Sequence, residues 1–349
     1  MADKDDGRNR KRSHRVAALL VISITILALL FLFTDTEKVL DLLLNADPRI
    51  VVLIIGLYLI GLATKSYRWK VVCSSAGENV SFRKIFPLFT IGMFINNVTP
   101  GRIAGEPLRA YLLHKGHEVR GGKAVSTVFV EKLLDLTILC IISFIGVVFL
   151  VLDENTELDS GTRTTMLVFI LLVAVGIASL LYISRKKHLL EVVVVRTVGT
   201  FYRFTKLSIA KKAQDNMLDL VDHFHDGVES VVKGKGGGTA MGLTGLIWLN
   251  ESLRLWLVLL ALGTDTFFGA VLFAACIASL FGIPLPIGAG NAAIITTVFF
   301  ILGMDIELAS TASLLMIMTS IWISVPIGLA FMVQLGVKFN GRKVMPESS

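Results

Sequence analysis

The chain has 349 residues, 54% of them hydrophobic and only 17% charged, with a mean hydropathy of +0.73. Roughly 25% of an average soluble domain is charged, so this composition excludes a soluble protein and describes an integral, polytopic membrane protein. The net charge of +7 does not point to nucleic acid, because the basic residues sit in loops beside apolar runs, where they set topology and meet anionic headgroups.

A spanning helix needs about 20 mostly apolar residues. The first apolar run, 16–33, follows Arg8, Arg10, Lys11, Arg12 and Arg15, and no small-residue cleavage motif follows it, so it reads as a span and not as a signal peptide. Further spans are expected at 50–67, 124–152, 165–183, 240–262 and 307–336. Two other apolar stretches, 85–113 and 267–303, are broken midway, the first around Pro100, Gly101 and Gly105, the second around Pro284, Pro286, Gly288 and Gly290. Proline removes a backbone donor and glycine relaxes the chain, and non-helical backbone at membrane depth survives only where protein or a polar cavity satisfies it. Both stretches are therefore predicted to be re-entrant hairpins. The chain divides into a basic N-terminus (1–15), a first membrane repeat (16–152), a fourth span (165–183), a linker (184–239), a second membrane repeat (240–336) and a tail (337–349).

Loop charges orient these elements, since cytoplasmic loops collect Lys and Arg. The N-terminus, Lys65 to Lys84, His114 to Lys123, the linker and Lys338 to Lys343 fall on one side, and the acid-bearing segments 34–47, 153–162, 264–266 and 304–307 on the other. Both termini are then expected in the cytoplasm, with the chain in the cell's plasma membrane. The linker carries ten Lys or Arg between Arg185 and Gly238 and reads as an interfacial amphipathic helix pair. Its closing Lys233-Gly-Lys-Gly-Gly-Gly lacks the Ser or Thr of a phosphate loop and reads as a flexible lead. His223 and His225 alternate on a helix and point apart, and Cys73, Cys140 and Cys276 have no paired spacing, so neither a metal nor a cofactor is expected.

Sliding the sequence against itself by 186 residues superposes Arg68 on Arg254, Gly77 on Gly263, Phe82 on Phe268 and Pro100 on Pro286 without a gap. The loop charges make the two copies run in opposite directions. The expected fold is all-α: six transmembrane helices plus two re-entrant helical hairpins in an inverted repeat, a plan of secondary transporters in which substrate sits near the midplane.

A charge at the bilayer centre costs about 2.5–3.5 kcal/mol on insertion scales, so intramembrane charges are candidates for function. The first hairpin holds Asn97, Arg102, Glu106 and Arg109 around its turn. Guanidinium groups and free half-helix amides suit a phosphate, and Glu106 would orient an arginine or take up a coupling proton. The next span carries Glu131 and Asp135 on one helical face, and the fifth holds Glu251 and Arg254 at i, i+3. Pairing of Glu131 and Asp135 with Arg120 or Lys123, and of Glu251 with Arg254, is the structural alternative. The second hairpin has no charge, only Asn291 after its Gly-Ala-Gly. No hydrolase or metalloprotease motif lies at membrane depth.

The run Asn97-x-x-Pro100-x-Arg102-x-x-Gly105-Glu106-x-x-Arg109, followed by Glu131-Lys132-x-x-Asp135, resembles the flippase-like lysylphosphatidylglycerol synthetase membrane-domain family. The second hairpin resembles that family's Pro-x-Pro-x-Gly-x-Gly turn, with Asn291 and Ala292 where glutamate usually follows. The resemblance implies transbilayer movement of a charged phospholipid or lipid-linked phosphate or sugar, with the headgroup phosphate on arginines of the first hairpin. No synthase domain is recognised, so lipid aminoacylation is not expected. The expected partners are that lipid and the anionic headgroups of the cytoplasmic face. A homo-oligomer and a separate lipid-modifying enzyme stay open, as do two other readings: a transporter of a small soluble anion and an intramembrane lipid-modifying enzyme.

Overall fold

A computed structural model of the protein describes residues 36–99, 104–117, 119–152, 234–281 and 289–336, with isolated positions between 161 and 230. Within them lie nine helices: α1 (Thr36–Leu44), α2 (Pro48–Ser75), α3 (Phe82–Val98), α4 (Gly105–His117), α5 (Gly121–Leu152), α6 (Lys235–Ala261), α7 (Phe268–Phe281), α8 (Ala289–Ile301) and α9 (Ile306–Gln334). Among the described residues, α2, α5, α6 and α9 are long and apolar enough to cross a membrane, and no strand occurs. Exposed Val52, Ile60, Phe144, Phe149, Trp322 and Val333 on these long helices suit contact with lipid chains. The expected spans 16–33 and 165–183, the linker and both termini lie outside the described residues, apart from those isolated positions.

Local chemistry starts and stops the helices. Asp47 caps α2, its carboxylate accepting the Arg49 amide at 2.8 Å, and Pro48 occupies a first-turn position that needs no donor. Gly77 (φ 83°) closes α2 and Gly263 (φ 79°) closes α6, both in the left-handed region open to glycine. These two glycines are repeat equivalents, and Phe82 and Phe268, also equivalents, open α3 and α7.

Four of the five shorter helices, α3 with α4 and α7 with α8, form two broken pairs. At about 1.5 Å per residue, the 17 and 13 residues of α3 and α4 fall short of a bilayer core about 30 Å thick. They fold back on each other: the Gly105 amide donates to Asn96 Oδ1 at 2.7 Å, a Cβ at Gly92 would press on Arg109, and Lys84 faces His117. Glycine is required at 105, where a Cβ would overlap the Gly92 carbonyl and the Asn96 side chain. The pair α7 and α8 packs likewise in the second half.

Packing repeats as well. α2 lies against α6, α3 against α9, and α7 against α5, so each long helix that follows a broken pair packs on the other half's pair. Along α2 and α6, Ser75 meets Gly236, Arg68 meets Thr244 and Leu57 meets Asn250, which is an antiparallel crossing. One apolar cluster surrounds Trp69, Ile85, Phe89 and Leu113, and a second surrounds Ile54, Leu255, Val258 and Phe299.

Three local expectations need correction. Segment 34–47, expected as a loop, contains α1, whose Val39 is buried and whose Leu42 and Leu43 pack on the second cluster. Arg68, expected in the cytoplasmic loop after the span 50–67, is helical and 3% exposed because carboxylates from α5 receive it. The glycine run after Lys235 is the first turn of α6, where Gly236 lets α6 approach Ser75 of α2.

Candidate functional site

Two charged clusters occupy the bundle, one in each half. In the first, Glu131 (0% exposed) accepts a hydrogen bond from Arg68 Nε at 3.2 Å on Oε1 and forms an ion pair with Arg109, Nη1 lying 2.7 Å from Oε2. Arg68 also grips Asp135, donating from Nη2 to Oδ2 at 3.2 Å, and donates to Thr244 Oγ1 of α6 at 3.1 Å. Trp248 Nε1 donates to Asp135 at 3.1 Å. The Arg109 guanidinium lies 4.9 Å from the Trp69 ring centroid and 5.0 Å from that of Phe89, a cation–π setting that desolvation strengthens. Trp69 is itself held by a 3.2 Å hydrogen bond to Thr127. Glu131 and Asp135 thus pair with Arg68 and Arg109, while Lys123 pairs with Glu78 at 3.1 Å. Glu106 pairs with Lys132 at 2.8 Å.

In the second cluster Glu251 bridges two cations, Lys65 Nζ at 2.5 Å and Arg254 Nη1 at 2.7 Å. Arg254 (1% exposed) donates to Ser320 at 2.8 Å and lies 4.8 Å from the Tyr58 ring centroid. Lys65 and Glu251 are separated by the repeat offset itself, 186 residues, so each is the other's equivalent at that offset. The same exchange turns the Arg68–Thr244 contact into the Arg254–Tyr58 contact. The two repeated arginines therefore reach across the α2–α6 crossing in equivalent ways.

Beside this second cluster opens a cavity of about 180 Å³. Its polar lining includes Lys65, Glu251, Trp248, Asn97, Asn291 and Ser320, and its apolar lining includes Leu255, Ala275, Ala278, Ile295, Ile317 and Ile321. Asn97, near the end of α3, donates to Ser324 of α9 at 2.7 Å, and Asn291 lies near the start of α8, so the inner ends of both broken pairs reach the cavity. These six apolar residues are the repeat equivalents of Trp69, Phe89, Gly92, Arg109, Glu131 and Asp135 in the same order. The stacked, ion-paired guanidinium of Arg109 fills in the first half the place that stands open in the second.

Of the residues expected to act, Asn97, Glu251 and Asn291 line the cavity, and Arg254 backs it through Glu251. Arg109, Glu131 and Asp135 belong to the neighbouring network, and Glu106 faces Lys132. Arg102, Pro100, Gly101, Pro284, Pro286 and Gly288 lie outside the described residues, whereas Gly105 and Gly290 are buried at the starts of α4 and α8. Sequence reasoning missed Lys65, Arg68, Tyr58 and Trp248. The signal for Arg68 was its place in the repeat, and for Lys65 its register opposite Glu251 at the same offset. Among the described residues no three His, Cys, Asp or Glu gather as a metal site.

Long apolar helices, paired charges within the bundle and a cavity between broken helices define a multi-pass helical membrane protein with an internal cavity. The chain belongs to the family described as the lysylphosphatidylglycerol synthase TM region, whose model matches residues 16–328. It is 27% identical to a UPF0104 membrane protein of Methanothermobacter thermautotrophicus, over 93% of this chain and 96% of that one. It is 25% identical to the UPF0104 membrane protein PH1989 of Pyrococcus horikoshii, over 89% and 94%. A glycosyltransferase of Haloferax volcanii, AglD, is 27% identical over 81% of this chain but 48% of its own length.

Proposed function

We propose that this protein moves the headgroup of an anionic phospholipid or lipid-linked phosphate or sugar across the bilayer, without an enzymatic step of its own. The observation that carries this reading is the cavity where both broken helix pairs end, with Lys65 in its wall and aliphatic residues opposite. An amphiphile needs both: a cation for the phosphate and an apolar path for what adjoins it. Lys65, backed by Arg254, is the described headgroup ligand, and Arg102 of the first hairpin is a second one. Arg109 is held by Glu131 and keeps the first half closed. In this reading the broken pairs are re-entrant hairpins entering from opposite faces, and the protein has six spans with both termini in the cytoplasm of a prokaryotic cell. The antiparallel crossing of α2 and α6 supports the inversion. The match to AglD covers less than half of that protein, and a separate lipid-modifying enzyme would supply the substrate.

The test is reconstitution in vesicles holding headgroup-labelled lipids, with movement read by external quenching. Wild type should accelerate movement over empty vesicles, and Lys65→Met and Arg102→Ala should abolish the gain. Equal rates in protein-containing and empty vesicles across anionic and zwitterionic headgroups would refute the proposal, and uptake of soluble phosphate in their place would favour a small-anion transporter.

A further inference from the structure

The two broken pairs are fastened to the long helices that follow them by different chemistry. On α4, Glu106 pairs with Lys132 at 2.8 Å and Arg109 with Glu131 at 2.7 Å, so two adjacent residues of α5 clamp one turn of α4. The equivalent positions in the second half hold Ala292, Ile295, Met318 and Ile317, and neither α7 nor α8 carries a charged side chain. A hydroxyl pair, Thr296 with Ser313 at 3.0 Å, joins α8 to α9. Beside it, Ile295 and Phe299 share an apolar cluster with Ala309, Ala312 and Leu315, and Ile294 and Val298 pack on the cluster of Val147, Leu150 and Phe273. Lipid chains are as apolar as leucine, so parting α8 from α9 exchanges apolar protein contacts for apolar lipid contacts at the loss of one neutral hydrogen bond. Parting α4 from α5 strands Glu131 and Arg109, both buried, and an uncompensated buried charge is costly. The helix α8 also stands between the cavity and its surroundings: Asn291, Ala292 and Ile295 line the cavity, whereas Thr297, Phe300 and Ile301 are exposed.

We infer that α8 is a lateral gate, which leaves α9 to open the cavity to the surrounding lipid while α4 stays clamped to α5. The inference rests on the reading above and assigns its moving part.

The test joins Thr296→Cys to Ser313→Cys by oxidation in the full chain, reconstituted in vesicles of phosphatidylcholine and phosphatidylglycerol. Cys73 and Cys276 are fully buried and stay, and Cys140→Ala removes the third thiol. Oxidation should slow the movement of labelled lipid about tenfold, and a reductant should restore it. Joining Glu106→Cys to Lys132→Cys with a bifunctional thiol reagent should leave that variant's rate as it was before joining. Movement untouched by the α8–α9 bridge, or stopped by the α4–α5 bridge, overturns the inference and spares the proposed function. Where the α8–α9 bridge does not form, or where no lipid moves before oxidation and the proposed function falls, spin labels at exposed positions decide the gate. One pair, Thr297→Cys with Met318→Cys, spans α8 and α9, and the other, Tyr111→Cys with Val125→Cys, spans α4 and α5. Two distances for the first pair and one for the second uphold the inference, and any other pattern overturns it.

Discussion

The two halves share a backbone plan and differ in what they bury. In the first, Trp69, Phe89, Thr127 and Glu131 close around Arg109. In the second, the equivalent positions hold Leu255, Ala275, Ser313 and Ile317, with Ile295 where the arginine would be, and a cavity remains. One half is a stapled scaffold and the other a chamber. Duplication can give two equal sites, and loss of side-chain volume and charge from one of them yields a binding place without changing a helix. The difference is energetic too: Arg109 is held by an ion pair and two aromatic faces, whereas aliphatic side chains line much of the open place.

Giving the first half the second half's residues tests that contrast. Glu131→Ile, copying Ile317, strands two buried arginines and should cost the most, about 3–5 kcal/mol, read as a fall in unfolding temperature in detergent. Gly105→Ala forces a Cβ into the Gly92 carbonyl and Asn96 and should cost about 1–3 kcal/mol by the same measurement. The reverse exchange, Leu255→Trp with Ala275→Phe, copies Trp69 and Phe89 into the cavity. It should slow vesicle lipid movement about tenfold, a barrier near 1.4 kcal/mol, with the unfolding temperature kept. Lys132→Met, copying Met318, removes a pair whose lysine is 54% exposed and should cost less than about 1 kcal/mol.

The smallest effect belongs to the mouth of the first broken pair. Burial, and then Lys84, hold the half-buried His117 below the usual imidazole range. Their equivalents in the second half are Ala270 and Gly303. Stability from this site is complete above the unfolded histidine value and is lost as pH falls through that value towards the folded one. His117→Asn should flatten that shallow slope in pH-dependent thermal unfolding.

Much of the helix plan was legible because apolar length, helix-breaking residues and a gapless repeat are written along the chain. The spans expected at 50–67, 124–152, 240–262 and 307–336 each fall in a long helix, and the breaks near Pro100 and Pro286 separate helices. Legibility failed where partners are distant in sequence. Lys65 and Arg68 read as loop charges because a basic residue near a span end usually faces headgroups, and only the fold brings Glu251 and Glu131 to them.

The sequence by itself therefore determined a polytopic helical membrane protein, its broken helices and its repeat, since periodicity and composition are local properties of the chain. Only the tertiary structure decided which charges pair and where the cavity opens, because pairing and void volume depend on contacts between residues as distant in sequence as Asn97 and Ser324.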